Sequence, residues 1–200
     1  MSNSSLPLTG SLSGPLTDPL TVLRHVMVVG GTVAEWEALS DELWQERLAD
    51  LGKVADHIGA SWLTVRPFER GEAPVDRPAS VGSVGQTAVR RHHTGGCDVL
   101  ASPITDGRAR LVAALATIAA AGESFTDERI ARLLNDPAEA DPDLVLILGT
   151  PDRLPASIVW ELAYSELVYI AVTWADLQPQ HLTDAITSFS HRHRRFGGLD

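Results

Sequence analysis

The stretch from Asp143 to Val172 reads DLVLILGTPDRLPASIVWELAYSELVYIAV. Asp143–Leu148 carries an unbroken apolar run, the mark of a strand buried on both faces. Gly149-Thr150-Pro151-Asp152-Arg153 is a turn-rich loop. Ser157–Leu167 reads as a helix and Val168–Val172 as a second strand. A strand, a helix and a strand in succession make a right-handed βαβ unit, so the two strands are expected to be parallel.

The same alternation extends outward from this unit. Arg24–Val29 (RHVMVV) is a strand closed by Gly30-Gly31. From Ala34 to Ile58 the residues Trp36, Leu39, Leu43, Trp44, Leu48, Leu51, Val54, Ala55 and Ile58 fall at helical spacing, with Gly59 as the stop. Trp62–Val65 and Cys97–Ala101 read as further strands. Leu111, Val112, Leu115 and Ile118 mark a helix to about Gly122, and Thr126-Asp127-Glu128 opens a shorter one. Asp136–Pro142 is an acidic linker. Pro179 starts a last helix with Leu182, Ala185, Ile186 and Phe189 on one face. The expected fold is α/β: a single domain with a mostly parallel sheet flanked by helices. Residues 1–20, rich in Ser, Leu, Pro and Gly, are expected to be a flexible tail on a domain spanning 21–200. Residues 69–96 show no period and are expected to form a long loop.

The chain has 200 residues, 16 basic and 26 acidic, for a net charge of −10, and Lys53 is its sole lysine. This balance argues against nucleic acid and anionic membrane as partners, and fits poorly with gathering diphosphates. Cys97 is alone, so no internal disulfide framework is available and a reducing compartment is implied. No apolar run reaches membrane-spanning length. The amino end lacks the basic and apolar blocks of a signal peptide, so a cytoplasmic location is expected.

In parallel sheets ligands sit beyond the carboxyl ends of the strands, which selects the loops after Val29, Val65, Ala101 and Leu148. Gly30-Gly31-Thr32 is either a tight turn or a set of backbone N–H groups for a phosphate. Arg153 can clamp an anion or pair with a nearby carboxylate. His92, His93 and Cys97 lack a fourth ligand at a usual zinc spacing. At the carboxyl end, His191-Arg192-His193-Arg194-Arg195-Phe196-Gly197-Gly198 gathers arginines in an otherwise acidic chain. These either complement a helix C-terminus or form an anion-binding arm.

Asp143–Leu148, Arg153-Leu154, Trp160–Leu167, Trp174-Ala175-Asp176-Leu177 and Arg194–Gly198 occur in order. This pattern resembles the C-terminal half of the cis-prenyltransferases, the undecaprenyl diphosphate synthase family. Asp106-Gly107-Arg108, His25-Val26, Trp36, Trp62–Val65 and Phe68 extend the resemblance over about residues 24–198. It implies a parallel-sheet fold that dimerises and a reaction joining isopentenyl diphosphate to an allylic diphosphate with Mg²⁺.

The same resemblance implies that the catalytic equipment is missing here. The family's Asp-Gly-Asn-Gly-Arg falls on Gly31–Glu35, placing its Asp on Gly31 and its Arg on Glu35. Its His-Arg pair falls near Asp41-Glu42, and Phe-Ser-x-Glu-Asn falls on Phe68–Glu72, with an acid at Glu69. In the C-terminal motif Ile147, Pro155 and Ala156 replace Arg, Ser and Asn. Arg153, as a diphosphate ligand, and Glu166, as a remnant metal ligand, match functional positions. The interval from Phe68 to Asp106 is too short for the family's tunnel wall.

The resemblance therefore points to a degenerate member like the non-catalytic Nogo-B-receptor-type subunit. Such a subunit has no catalytic residues and no cofactor of its own. It pairs with a catalytic homologue whose active site holds Mg²⁺, and lends it the C-terminal Arg-x-Gly, here Arg195, Phe196 and Gly197, followed by Gly198. A homodimer, an active synthase with atypical loops and a dimerising scaffold outside prenyl metabolism stay open at this point.

Overall fold

The computed structural model describes residues 23–68, 89–138, 140–152 and 154–196. The expected tail at 1–20, most of the 69–96 stretch, Arg153, Gly197 and Gly198 lie outside them. The elements run β1 (His25–Val29), α1 (Val33–Glu37), α2 (Asp41–His57), β2 (Trp62–Arg66), β3 (Arg90–Thr94), β4 (Cys97–Ala101), α3 (Gly107–Ala121), α4 (Asp127–Asn135), β5 (Leu144–Leu148), α5 (Glu161–Tyr164), β6 (Glu166–Ile170) and α6 (Pro179–Phe196). The strand order is β3-β4-β2-β1-β5-β6. All neighbours pair in parallel except β3 with β4.

β1 and β5 are buried at every position, which is why both read as continuous apolar runs. Alternate residues feed two cores. Val26, Val28, Leu63, Val65, Leu144 and Leu146 meet Trp44, Leu48 and Leu51 of α2 and Leu182 and Phe189 of α6. Met27, Val29, Val145 and Ile147 form a smaller cluster with Ile158 on the opposite face.

Three expectations are corrected. The single helix over Ala34–Ile58 is two helices, because the Ser40 hydroxyl accepts from the Leu43 N–H and caps a new start. The stretch 69–96 is not loop throughout. Arg90–Thr94 forms an antiparallel edge strand that turns through Gly95-Gly96 into β4. Asp56 holds this turn by accepting the Gly96 N–H at 2.7 Å. The expected helix over Ser157–Leu167 shrinks to Glu161–Tyr164, since Glu166 already pairs with Leu144 as the first residue of β6. Among the described residues no helix is long and apolar enough to cross a membrane.

His25 opens β1 with 1% exposure. Its Nδ1 lies 2.8 Å from the Ala140 carbonyl and its Nε2 2.8 Å from the Thr64 hydroxyl. Burial lowers its pKa from 6.5 to about 4. Between those values the unfolded chain binds a proton that the folded chain refuses. Stability is therefore complete above about pH 6.5 and falls as the pH drops toward 4, by about 3 kcal/mol from this residue. Urea unfolding at pH 7 and pH 4.5 checks this; His25→Gln, which cannot titrate, is expected to lose less between the two.

Candidate functional site

At the carboxyl ends of β1, β2 and β5 the chain leaves a cleft of about 370 Å³. Its walls come from the loops after Val29, Val65 and Leu148 and from the segment after β6. The loop after Ala101 contributes no lining residue among those described. Phe68, Leu148, Val172 and Trp174 supply apolar surface, while Thr32, Glu35, Thr150, Asp152 and Thr173 supply polar groups.

The first loop is built tightly. Gly30 donates its N–H to the Arg66 carbonyl at 2.9 Å, and Phe68 donates to the Gly31 carbonyl at 2.6 Å. Thr32 caps α1 in a reciprocal box: its Oγ1 accepts from the Glu35 N–H, and Glu35 Oε2 accepts the Thr32 N–H at 2.7 Å. The turn is thus a helix start, with Glu35 using the Thr32 backbone N–H that an anion would need. Gly31 adopts φ +72°, and a Cβ there would lie 2.6 Å from Trp174 Cγ and 2.9 Å from Trp36 Nε1. No side chain fits at this position without moving these rings.

Trp174, which lines the cleft, belongs to a cluster of three tryptophans. The Trp36 ring is 4.9 Å from Trp44 and 5.6 Å from Trp174, centre to centre. Trp36 donates to the Gly30 carbonyl and Trp44 to the Trp36 carbonyl, each at 3.0 Å. Arg47 lies 4.6 Å from the Trp174 ring centre and donates to the Trp174 carbonyl at 2.5 Å. Its charge is engaged in holding Trp174 and does not enter the cleft lining.

Beneath the second loop lies an ion cluster that periodicity could not reveal. Glu161 Oε1 accepts from Arg66 and from Arg110, each at 2.6 Å. Arg66 is 4% exposed and Glu161 0%. Burial alone would raise the Glu161 pKa, but the Arg66 and Arg110 guanidiniums outweigh it and hold the carboxyl below its usual range. Burial, with Arg110 nearby, lowers Arg66 to about 10. The cluster joins β2, α3 and α5, while the Ser157 hydroxyl donates to the Pro67 carbonyl beside Phe68.

The structure separates several residues that the sequence brought together. Glu166 pairs with Leu144 at the amino end of the sheet, four ladder positions from Leu148, and does not line the cleft. Asp41 pairs with Arg90 at 2.6 Å, in the first turn of α2, and neither Asp41 nor Glu42 lines the cleft. Ile147 is sealed in the second core, and Ala156 accepts the Gly107 N–H at 2.8 Å. His92 and His93 alternate along β3 and meet different partners, Gln45 and Asp98. Cys97 is buried, and burial raises its pKa to about 11. No three His, Cys, Asp or Glu side chains come together to hold a metal among the described residues. Arg195 and Phe196 stand in the last turn of α6.

Residues 90–197, more than half of the chain, match the family described as "Putative undecaprenyl diphosphate synthase". The isoprenyl transferase of Geobacillus kaustophilus is 37% identical over 99 residues, which is 46% of this chain and 38% of that protein. The isoprenyl transferase of Rhizobium meliloti is 32% identical over 120 residues, 60% of this chain and 47% of that protein. The match thus spans less than half the length of either relative. A probable undecaprenyl diphosphate synthase from Campylobacter jejuni superposes with TM-score 0.59 and 17% identity, covering 89% of this chain and 100% of that one. Lavandulyl diphosphate synthase from Lavandula x intermedia, in complex with dimethylallyl diphosphate, gives 0.53 and 16%, covering 84% and 95%. Their likeness is one of fold, and it agrees with the parallel sheet. The family match over β3 to α6 shows that this chain belongs to the undecaprenyl diphosphate synthase family, the cis-prenyltransferases.

Proposed function

We propose that the chain is the non-catalytic subunit of a heteromeric cis-prenyltransferase that makes polyprenyl diphosphate from isopentenyl and allylic diphosphates. The observation that carries this reading is the packing at Gly31, which lines the cleft. The position where the family's catalytic Asp falls is Gly31, and the space beside it is filled by Trp174 and Trp36. Among the described residues lining the cleft, the charged ones are both acidic, Glu35 and Asp152. Two carboxylates repel a diphosphate by kilocalories per mole at short range in an intermediate dielectric. In this reading the Mg²⁺ belongs in the partner's site.

In this reading the working cation is Arg195, carried by α6 toward the partner's diphosphate, with Gly197 allowing close backbone approach. The test pairs the full chain with a catalytic homologue from the same genome. Co-purification and a rise in the homologue's turnover are expected, and Arg195→Ala is expected to keep association while lowering turnover at least tenfold. No association and no effect on turnover would overturn the proposal. Turnover by this chain alone, given both diphosphates and Mg²⁺, would establish an active synthase instead. Association that survives with no effect of Arg195→Ala would favour a scaffold.

A further inference from the structure

We propose that α5 and the first turn of α4 form a docking surface for an arginine-bearing segment of a partner protein. The inference goes beyond the accessory reading and does not depend on it. Trp160, the N-cap of α5, and Tyr164, its last residue, stand one helical turn apart and share a face. Their rings stack 4.9 Å apart, centre to centre, with a tilt of 30°. Neither ring belongs to either core. Tyr164 is 48% exposed, Leu162 in the same turn 41%, and Phe125, two residues before α4, 59%. Tyr164 ties the two elements together, since its hydroxyl donates to Asp127 Oδ2 at 3.3 Å on the first turn of α4. Apolar surface gathered in this way, and rimmed by polar groups, marks an interaction site.

The polar groups around the stack choose the partner's chemistry. Trp160 donates its Nε1–H to Asp141 Oδ1 at 2.9 Å. Both aromatic donors are thus spent on carboxylates, and what remains for a partner is ring face and carboxylate lone pairs. Among the described residues neither Asp127 nor Asp141 has a salt bridge, and Arg129, two residues after Asp127, is held by Glu123. A cation answers both the ring and the carboxylates. A guanidinium does so best, because its plane lies on the Tyr164 ring while its N–H groups reach the adjacent carboxylate. An ammonium is a compact, strongly hydrated charge and gains less from the ring. An acidic segment is repelled, and an uncharged apolar one covers the carboxylates without pairing them. The net charge of −10 draws basic partners in from a distance.

The test uses one peptide frame with three side chains: acetylated, amidated Gly-Arg-Gly-Arg-Gly, its lysine counterpart, and its citrulline counterpart, which keeps the shape of arginine without the charge. Each is titrated into the full chain while backbone amide and indole N–H NMR shifts are followed. The arginine peptide is expected to shift Phe125, Asp127, Tyr164 and the Trp160 indole saturably. Its Kd is expected to be at least threefold tighter than that of the lysine peptide and tenfold tighter than that of the citrulline peptide. Tyr164→Leu is expected to weaken the arginine peptide at least threefold. Asp127→Asn, on an exposed position of α4, is expected to do the same and keeps the test open should Tyr164→Leu fail to fold. Equal Kd values for the three peptides overturn the proposal, as does the absence of shifts with all of them. Shifts at the same residues on concentrating the chain alone would assign the surface to a second copy and overturn it as well. Turnover of a catalytic homologue is read separately, so failure here leaves the accessory reading untouched.

Discussion

Glu161→Ala is expected to lower stability by about 3–5 kcal/mol, the usual cost of removing one partner from a buried ion cluster. For a chain of this size that corresponds to a fall in Tm of roughly 10 °C. The cause is uncompensated charge. Arg66 and Arg110 both end on Glu161 Oε1. Without it two guanidiniums face each other in a space where Arg66 is 4% exposed. The cluster is incomplete even when intact, since Glu161 Oε2 and the Nε of Arg66 and Arg110 have no partner. Its stability therefore rests on the shared oxygen. A combined Arg66→Met, Glu161→Leu, Arg110→Met variant is expected to recover most of the loss, because apolar replacements of similar volume carry no desolvation cost. Calorimetric melting of the three proteins decides the matter. If Glu161→Ala melts within a few degrees of the parent, the cluster is solvated and the account fails.

Gly31→Asp is the second large effect. Placing a carboxylate where the family carries its catalytic Asp is expected to yield no turnover and to cost about 3 kcal/mol. Roughly 1–2 kcal/mol comes from holding a non-glycine residue at φ +72°. A similar amount comes from overlap with Trp174 and Trp36. Gly122→Ala separates the two causes. Gly122 has φ +65° but open space around its missing Cβ, so its substitution should show the conformational cost alone. Urea unfolding gives both differences, and a radiolabelled isopentenyl diphosphate assay reads turnover. A stable Gly31→Asp protein that turns substrate over would mean that the missing carboxylate was the sole lesion.

How much of this was legible in the sequence follows from the range of the interactions. β1, β2, β4 and β5 declared themselves because each carries a short, mostly apolar run, the mark of a strand buried on both faces, even with His25, Thr64, Arg66 and Asp98 among their residues. β3 did not, because RRHHT is an edge strand with polar partners on each face, and its pairing depends on β4 rather than on its own pattern. The break between α1 and α2 was hidden because Leu39 continues the apolar face while Ser40 starts a new helix. The cleft's position followed from the parallel topology, but the tryptophan cluster beside it did not. Trp36, Trp44 and Trp174 come together from three segments, and the union of Arg66 with Glu161 spans 95 positions. Glu166 matched a family position yet lies at the other end of the sheet, since where a residue stands along a strand decides which edge it reaches.

The central strand has a consequence for how the protein is made. After His25, β1 is apolar at all four positions, and it is completed by β2 on one side and β5 on the other. The His25 N–H is received by Asp143, 118 residues later. At ordinary rates of synthesis a ribosome takes on the order of ten seconds to supply that stretch. Throughout that interval the nascent HVMVV segment has one sticky margin exposed, open to any neighbouring chain. A chaperone that shields that margin before β5 emerges is therefore expected to raise the yield of folded protein more than one acting afterwards.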